Sequence, residues 1–228
     1  MKNKSNKRHH RVLNMAYMGI FVAFAYVLAM VVRFPVPPFL TLDLKDAAIT
    51  IGAMACGPFS AFVMTAAVAL LEFVTVGDTG VYGLIMDIIS STAFAFTAAV
   101  IYKYKKTFFG AILSLASAIF VMTAMMIAAN LVVTPYYMGV SVSAVRALIL
   151  PLLLPFNFLK AVLNAGVVAI LYKPLTRALG RVMGVKKETN APKKDRRSLY
   201  MTLVSLAIIV LTLVILFVFM DAGVDFGK

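Results

Sequence analysis

Six side chains able to do chemistry stand inside stretches that are otherwise aliphatic: Glu72, Asp87, Asn130, Asn157, Lys160 and Asn164. The setting is plainest in "LPFNFLKAVLNAGVVAILY", residues 154–172, where an ammonium and two carboxamides interrupt a run suited to a lipid-spanning helix. Asn157 and Lys160 are three apart and share one helical face, and Asn164 extends that stripe by a turn. Ionisable groups are costly in a hydrocarbon interior, so those present are candidates for function. Such groups can also hydrogen-bond between helices, a structural use worth about 1 kcal/mol for an asparagine. Lys160 fits that use least, because at mid-helix its head group needs an anion or several acceptors. Carboxamides offer donors and acceptors, whereas lysine offers donors alone. The set suits a flat ligand edge carrying carbonyls and a ring N–H, with Phe39, Leu40, Tyr82 and Phe156 as candidate walls.

Other chemistries lack their residues. The sequence has no G-x-x-x-x-G-K-[ST] phosphate loop, no H-E-x-x-H, and no Ser–His pair within an apolar segment. Both histidines, His9 and His10, fall in a basic N-terminal stretch, and the one cysteine, Cys56, has no thiol or imidazole near it in sequence. No metal site is expected from that set, and Cys56 reads as a small packing residue. Catalysis is not expected, so any transport must draw its energy from a partner or an ion gradient.

The elements that must position the six groups are membrane helices. The 228 residues are 62% hydrophobic and 14% charged, far from the balance of a soluble domain. The apolar residues fall in blocks near the ~20 needed to cross a bilayer. A net charge of +13 could suggest nucleic acid, but its distribution argues against that partner. Seventeen of the 22 Lys and Arg lie in three clusters, at 1–11, 103–106 and 173–197, which mark cytoplasmic segments of a membrane protein with a cytoplasmic N-terminus. The first helix is expected over about 12–32 and the second, short one over about 46–56. The third and fourth follow over about 58–76 and 81–102, the fifth and sixth over about 108–134 and 144–173. Residues 33–46 carry three prolines and are expected to form an outer loop. Residues 199–220 form a seventh apolar stretch behind a basic linker. The division is a tail at 1–11, a membrane domain at 12–180, a linker at 181–198, and a last helix with a short outer tail at 199–228.

On this topology most of the polar groups lie in the outer half of the membrane, beneath the Pro-rich loop. They are expected to form a pocket that opens outward, with residues 33–45 as its lid.

Four segments carry a resemblance to a known family: "PVPPFLTLDLKDAAITIGAMACGP" (35–58), "VGDTGVYGLIMDIIS" (76–90), "NLVVTPYYMG" (130–139) and "LPFNFLKAVLN" (154–164). The sequence resembles the substrate-binding S components of energy-coupling factor (ECF) vitamin transporters, in particular the riboflavin-specific ones. The resemblance implies an all-α integral membrane protein with the six-transmembrane-helix S-component fold, here with an extra C-terminal helix. It implies a bacterial cell-membrane subunit that binds riboflavin as a transported ligand, with no cofactor, and works with a T component and two ATPases. Carried over by motif, Asn130, Asn157 and Lys160 would meet the edge of the flavin ring. Leu40, Thr41, Leu42, Gly83, Asp87 and Asn164 complete the expected ligand-binding set. Small residues of the first helix, Gly19 with Ala23 and Ala25 with Ala29, would let the T component approach closely. Asp87 stands where the family pattern has Asn, and Glu72 where it more often has a neutral residue or His. The alternatives are an S component for thiamine, folate or another vitamin, and a stand-alone carrier with Glu72 and Asp87 as proton sites. A membrane enzyme lacks a catalytic constellation, and a pure scaffold would not need the convergent polar set.

Overall fold

A computed structural model describes residues 2–183 and 196–221. The centre of the expected linker, residues 184–195, and most of the expected outer tail, residues 222–228, lie outside the described residues.

The chain opens with α1 (Lys2–Val31), whose helix begins within the basic stretch and continues into the apolar span Val12–Val31. It ends before "RFPVPP". The next residues do not form an irregular loop. They form an antiparallel hairpin of β1 (Arg33–Val36) and β2 (Leu40–Asp43), in register from Arg33 opposite Asp43 to Val36 opposite Leu40. A two-stranded ribbon is all edge, so Pro35 can sit in it without breaking an inner ladder. Val36, Leu40 and Leu42 are buried against Leu152, Leu153, Phe156 and Leu163, which supplies the hydrophobic reason for the hairpin to form here.

The hairpin delivers the chain into α2 (Lys45–Cys56), buried continuously from Lys45 to Met54. Twelve residues rise only about 18 Å, too short to cross a bilayer alone. The helix packs instead against α1, α3 (Pro58–Thr75), α4 (Gly80–Tyr104) and α7 (Leu154–Met183). Gly52 permits this closeness, since a Cβ there would come within 2.9 Å of both Met64 and Phe21. Gly57 then turns the chain at φ 109°, and Pro58 starts α3 at a position where its missing N–H is not needed.

α4 packs against α3, α2 and α5 (Phe108–Met138). α5 begins at a Thr107 cap that accepts a hydrogen bond from the Gly110 N–H at 3.1 Å. It does not stop at residue 134 as expected, but runs one turn past Pro135 to Gly139 at φ 65°. A proline that close to the end removes one ladder bond and no more. The expected sixth helix is broken. α6 (Val142–Ala147) is followed by a π-helical turn, Ile149–Leu153, and only then by α7. Pro151 cannot donate to an α ladder, and Leu153 bonds instead to the Leu148 carbonyl five residues back, at 2.9 Å.

α8 (Arg196–Asp221) packs on α7, where Gly166 faces Ile209. Five segments of the described residues are long and apolar enough to cross a membrane: Val12–Val31, Pro58–Thr75, Gly80–Tyr104, Phe108–Met138 and Ile149–Tyr172. The buried α2 is too short to span alone, as expected of the second helix, and α8 carries an apolar stretch at Leu203–Ile215. The main core gathers around α2 from Phe21, Ile49, Met64, Phe94, Tyr102, Met122 and Val168. Many large apolar side chains point outward, among them Ile20, Phe59, Val74, Phe120 and Leu150, as a lipid-facing surface requires.

Candidate functional site

At the hairpin end of the bundle lies a cavity of about 380 Å³. Its rim is the hairpin and the turn between α3 and α4. Its walls come from α3, α4, α5 and the start of α7, and its floor is charged. Of the expected ligand-binding residues, Leu40, Thr41, Gly83, Asp87, Asn130, Asn157 and Lys160 line it, as do all four candidate walls, Phe39, Leu40, Tyr82 and Phe156.

The floor is organised by two lysines. Lys45, at the first position of α2, is 2.7 Å from Glu72 Oε2 on α3 and 3.0 Å from Asp87 Oδ1 on α4, with Asp43 Oδ2 at 3.7 Å. Lys160 on α7 is 2.9 Å from the same Asp43 oxygen and donates a second bond to the Thr41 carbonyl at 3.3 Å. Burial pushes the Asp43 carboxyl up, but the ammonium groups of Lys160 and Lys45 outweigh it and hold the group below the usual carboxylate range. Behind Lys45, fully buried Asp46 accepts a hydrogen bond from Ser91 on α4.

Lys45 falls outside the three basic clusters and is not among the expected site residues. It is 2% exposed and lies at the meeting point of β2, α2, α3 and α4. The available signal was "LDLKD": three charges crowded at the mouth of an apolar helix have to find partners if that helix is buried. Asp43, Tyr137 and Arg33 also line the cavity and lie outside the expected set. Tyr137 meets Phe39 edge-on and Tyr82 at a tilt, with ring centroids at 6.1 and 5.9 Å, because α5 continues through the expected loop. Arg33 ties β1 to the α3–α4 turn, reaching the Val76 carbonyl at 3.0 Å and Asp78 at 3.1 Å.

The asparagines part company. Asn130 is fully buried on the cavity wall, donating to the Met126 carbonyl at 2.7 Å and accepting from Thr134 at 2.8 Å. Asn157 donates to the Leu153 carbonyl at 2.7 Å. Asn164 does not line the cavity. Its Oδ1 accepts from the Ala47 N–H at 2.9 Å, and its amide donates to the Asp43 and Lys160 carbonyls at 3.0 Å each. It is a clamp on the first turn of α2, where helix N–H groups lack intrahelical partners. Leu42 also departs from the expected set: it is turned into the apolar cluster under the hairpin and is not part of the lining.

The expected docking residues split in the same way. Gly19 and Ala23 are exposed on α1. Ala25 and Ala29 are buried, at 0% and 2% exposure, and Ala29 lines the cavity. That pair faces into the protein and is unavailable to a partner, a correction that follows from the 100° step between successive helix residues.

Residues 13–172 match the family model described as "ECF transporter, substrate-specific component". The riboflavin transporter RibU of Staphylococcus aureus (strain TCH60) is 28% identical over 175 residues, covering 72% of this chain and 91% of that relative. The solved S component of a bacterial ECF transporter is similar in fold, with a TM-score of 0.64 at 26% identity, over 74% of this chain and 98% of that one.

Proposed function

The chain belongs to the substrate-specific components of ECF transporters, and from that premise we propose that it is the riboflavin-binding subunit of an ATP-driven importer in a bacterial cell membrane. The observation that carries this reading is the cavity. Its volume of about 380 Å³ falls in the ~300–1,000 Å³ range of small-molecule sites. Its lining joins aromatic faces to the carboxamides of Asn130 and Asn157 and the ammonium of Lys160. Lys160 gives two of its three N–H donors to Thr41 and Asp43, which leaves one for a flavin carbonyl. Asn157 commits one amide hydrogen to Leu153; its other hydrogen and its oxygen match the alternating ring N–H and carbonyls of the flavin edge. Phe39, Tyr82 and Tyr137 offer faces for a planar ring.

The basic clusters of the sequence orient the subunit with its N-terminus in the cytoplasm and the hairpin end outward. Uptake then requires a T component and two ATPases, for which the exposed Gly19 and Ala23 offer a close approach.

The test is a titration of the purified protein in detergent, following riboflavin's own fluorescence, since the chain has no tryptophan to report binding. Stoichiometric quenching that thiamine and folate do not reverse is the expected result. Absence of quenching would overturn the flavin assignment.

A further inference from the structure

The charges that line the cavity do not balance. Counted as ionised, Asp43, Glu72, Asp78 and Asp87 face three cations, Arg33, Lys45 and Lys160. Each cation is already engaged: Arg33 by Asp78, Lys45 by Glu72 and Asp87, Lys160 by Asp43. A phosphate entering this space would meet an excess of carboxylate.

One oxygen in the lining is also unmatched. Glu72 is 6% exposed; Lys45 fixes its Oε2, and its Oε1 has no hydrogen-bond partner among the described residues. A buried acceptor without a donor is costly, and a ligand that supplies one recovers that cost. Asp46 carries an unmatched oxygen too, but it does not line the cavity. Glu72 is therefore the one of the two that a ligand can reach. It also stands on a different wall from the asparagines, since α3 packs against α1, α2 and α4 while α5 packs against α7.

We propose that Glu72 is a specificity-determining residue of the cavity: its Oε1 accepts a hydrogen bond from an uncharged O–H or N–H of the ligand, and the acid-rich lining around it disfavours the phosphate ester of that ligand. This rests on the riboflavin reading. The donor is a hydroxyl of the ribityl chain or the ring N–H, and the two are separable, because lumiflavin keeps the ring and lacks the polyol.

The experiment titrates riboflavin, FMN and lumiflavin into the wild-type protein and into Glu72→Gln. FMN is expected to bind the wild type roughly tenfold or more weakly than riboflavin, since like charges oppose it. Glu72→Gln is expected to weaken riboflavin binding about three- to tenfold, as a charge-assisted hydrogen bond becomes a neutral one. It should relieve FMN, so that the ratio of the two dissociation constants narrows about tenfold. A parallel loss for lumiflavin assigns the donor to the ring, and an unchanged lumiflavin affinity assigns it to the polyol. Tight riboflavin binding by the wild type with equal FMN binding overturns the proposal and leaves the riboflavin reading standing. So does a Glu72→Gln variant that binds riboflavin yet leaves the ratio unchanged. A wild type that binds no riboflavin overturns both. The wild-type comparison needs no variant, so it decides the matter even if Glu72→Gln folds poorly.

Discussion

Replacing Lys45 with methionine keeps most of its volume and removes its charge. Glu72 and Asp87 lose an ammonium at 2.7 and 3.0 Å, and Asp43 loses one at 3.7 Å. No other cation is found within ion-pair distance of Glu72 among the described residues, so the variant leaves a buried carboxylate uncompensated. Breaking a buried pair in that way costs about 3–5 kcal/mol. Asp87 moderates the loss, because its side chain is 32% exposed and can rehydrate, which places the expectation near the lower end, about 3 kcal/mol. Lys160→Met should cost less, roughly 1–2 kcal/mol, because Asp43 keeps Lys45 at 3.7 Å and the Lys45 backbone N–H at 3.3 Å. The sole cysteine, Cys56, is half-buried where α2 ends, so a thiol-reactive fluorophore reads unfolding at one defined position. Melting should rank wild type above Lys160→Met above Lys45→Met, and adding Glu72→Gln to Lys45→Met should restore part of the loss. Riboflavin affinity should rank the two single variants the other way. A Lys45→Met protein that melts within about 1 kcal/mol of the wild type would refute the assignment of Lys45 as the charge that holds the floor together.

Asn164→Leu should destabilise the protein by about 2–4 kcal/mol, because the Ala47 N–H and the Asp43 carbonyl both lose a buried partner; the same melting assay checks it. Gly52→Ala should cost about 1–3 kcal/mol through overpacking against Met64 and Phe21, and pairing it with Met64→Ala should recover part of that loss. Enlarging Gly19 and Ala23 together to leucine should leave riboflavin affinity in detergent unchanged while lowering uptake in cells that supply the T component and ATPases. Ala25→Leu, facing inward, should lower the melting temperature instead.

The long helices could be read from the sequence because the bilayer imposes one simple rule, an apolar run of sufficient length. Pro58 after Gly57 marked the α2–α3 corner for an equally local reason. The hairpin could not be read that way. Its three prolines signal that helix is impossible, but strand pairing depends on Val36, Leu40 and Leu42 finding an apolar bed more than a hundred residues away, at Leu152, Leu153, Phe156 and Leu163. The role of Lys45 is hidden in the sequence for the same reason. Counting charges along the chain assigns a lysine next to a loop to that loop, whereas its burial is decided by Glu72 and Asp87 on two other helices. The break before α7 had a visible cause, Pro151 within an otherwise helical pattern. The continuation of α5 past Pro135 did not, since "TPYYMG" also fits a turn.

The polar stripe on α7 divides by depth into three tasks. Asn157 lies on the cavity wall, Lys160 joins the wall to the hairpin, and Asn164 fastens the start of α2 behind it. Helical spacing alone makes these residues equivalent; the length of the hairpin separates them. β2 ends at Asp43, so its last carboxylate meets Lys160 while its last carbonyl meets Asn164. A ligand that draws on the remaining donor of Lys160 therefore shares that ammonium with Asp43. Asp43 is not stranded by that sharing, because Lys45 stands 3.7 Å from the same oxygen. Two lysines sharing one carboxylate allow one of them to serve the ligand without leaving a buried charge alone. A lone Lys160 could not do so at tolerable cost, which gives a physical reason for the second lysine beneath the cavity.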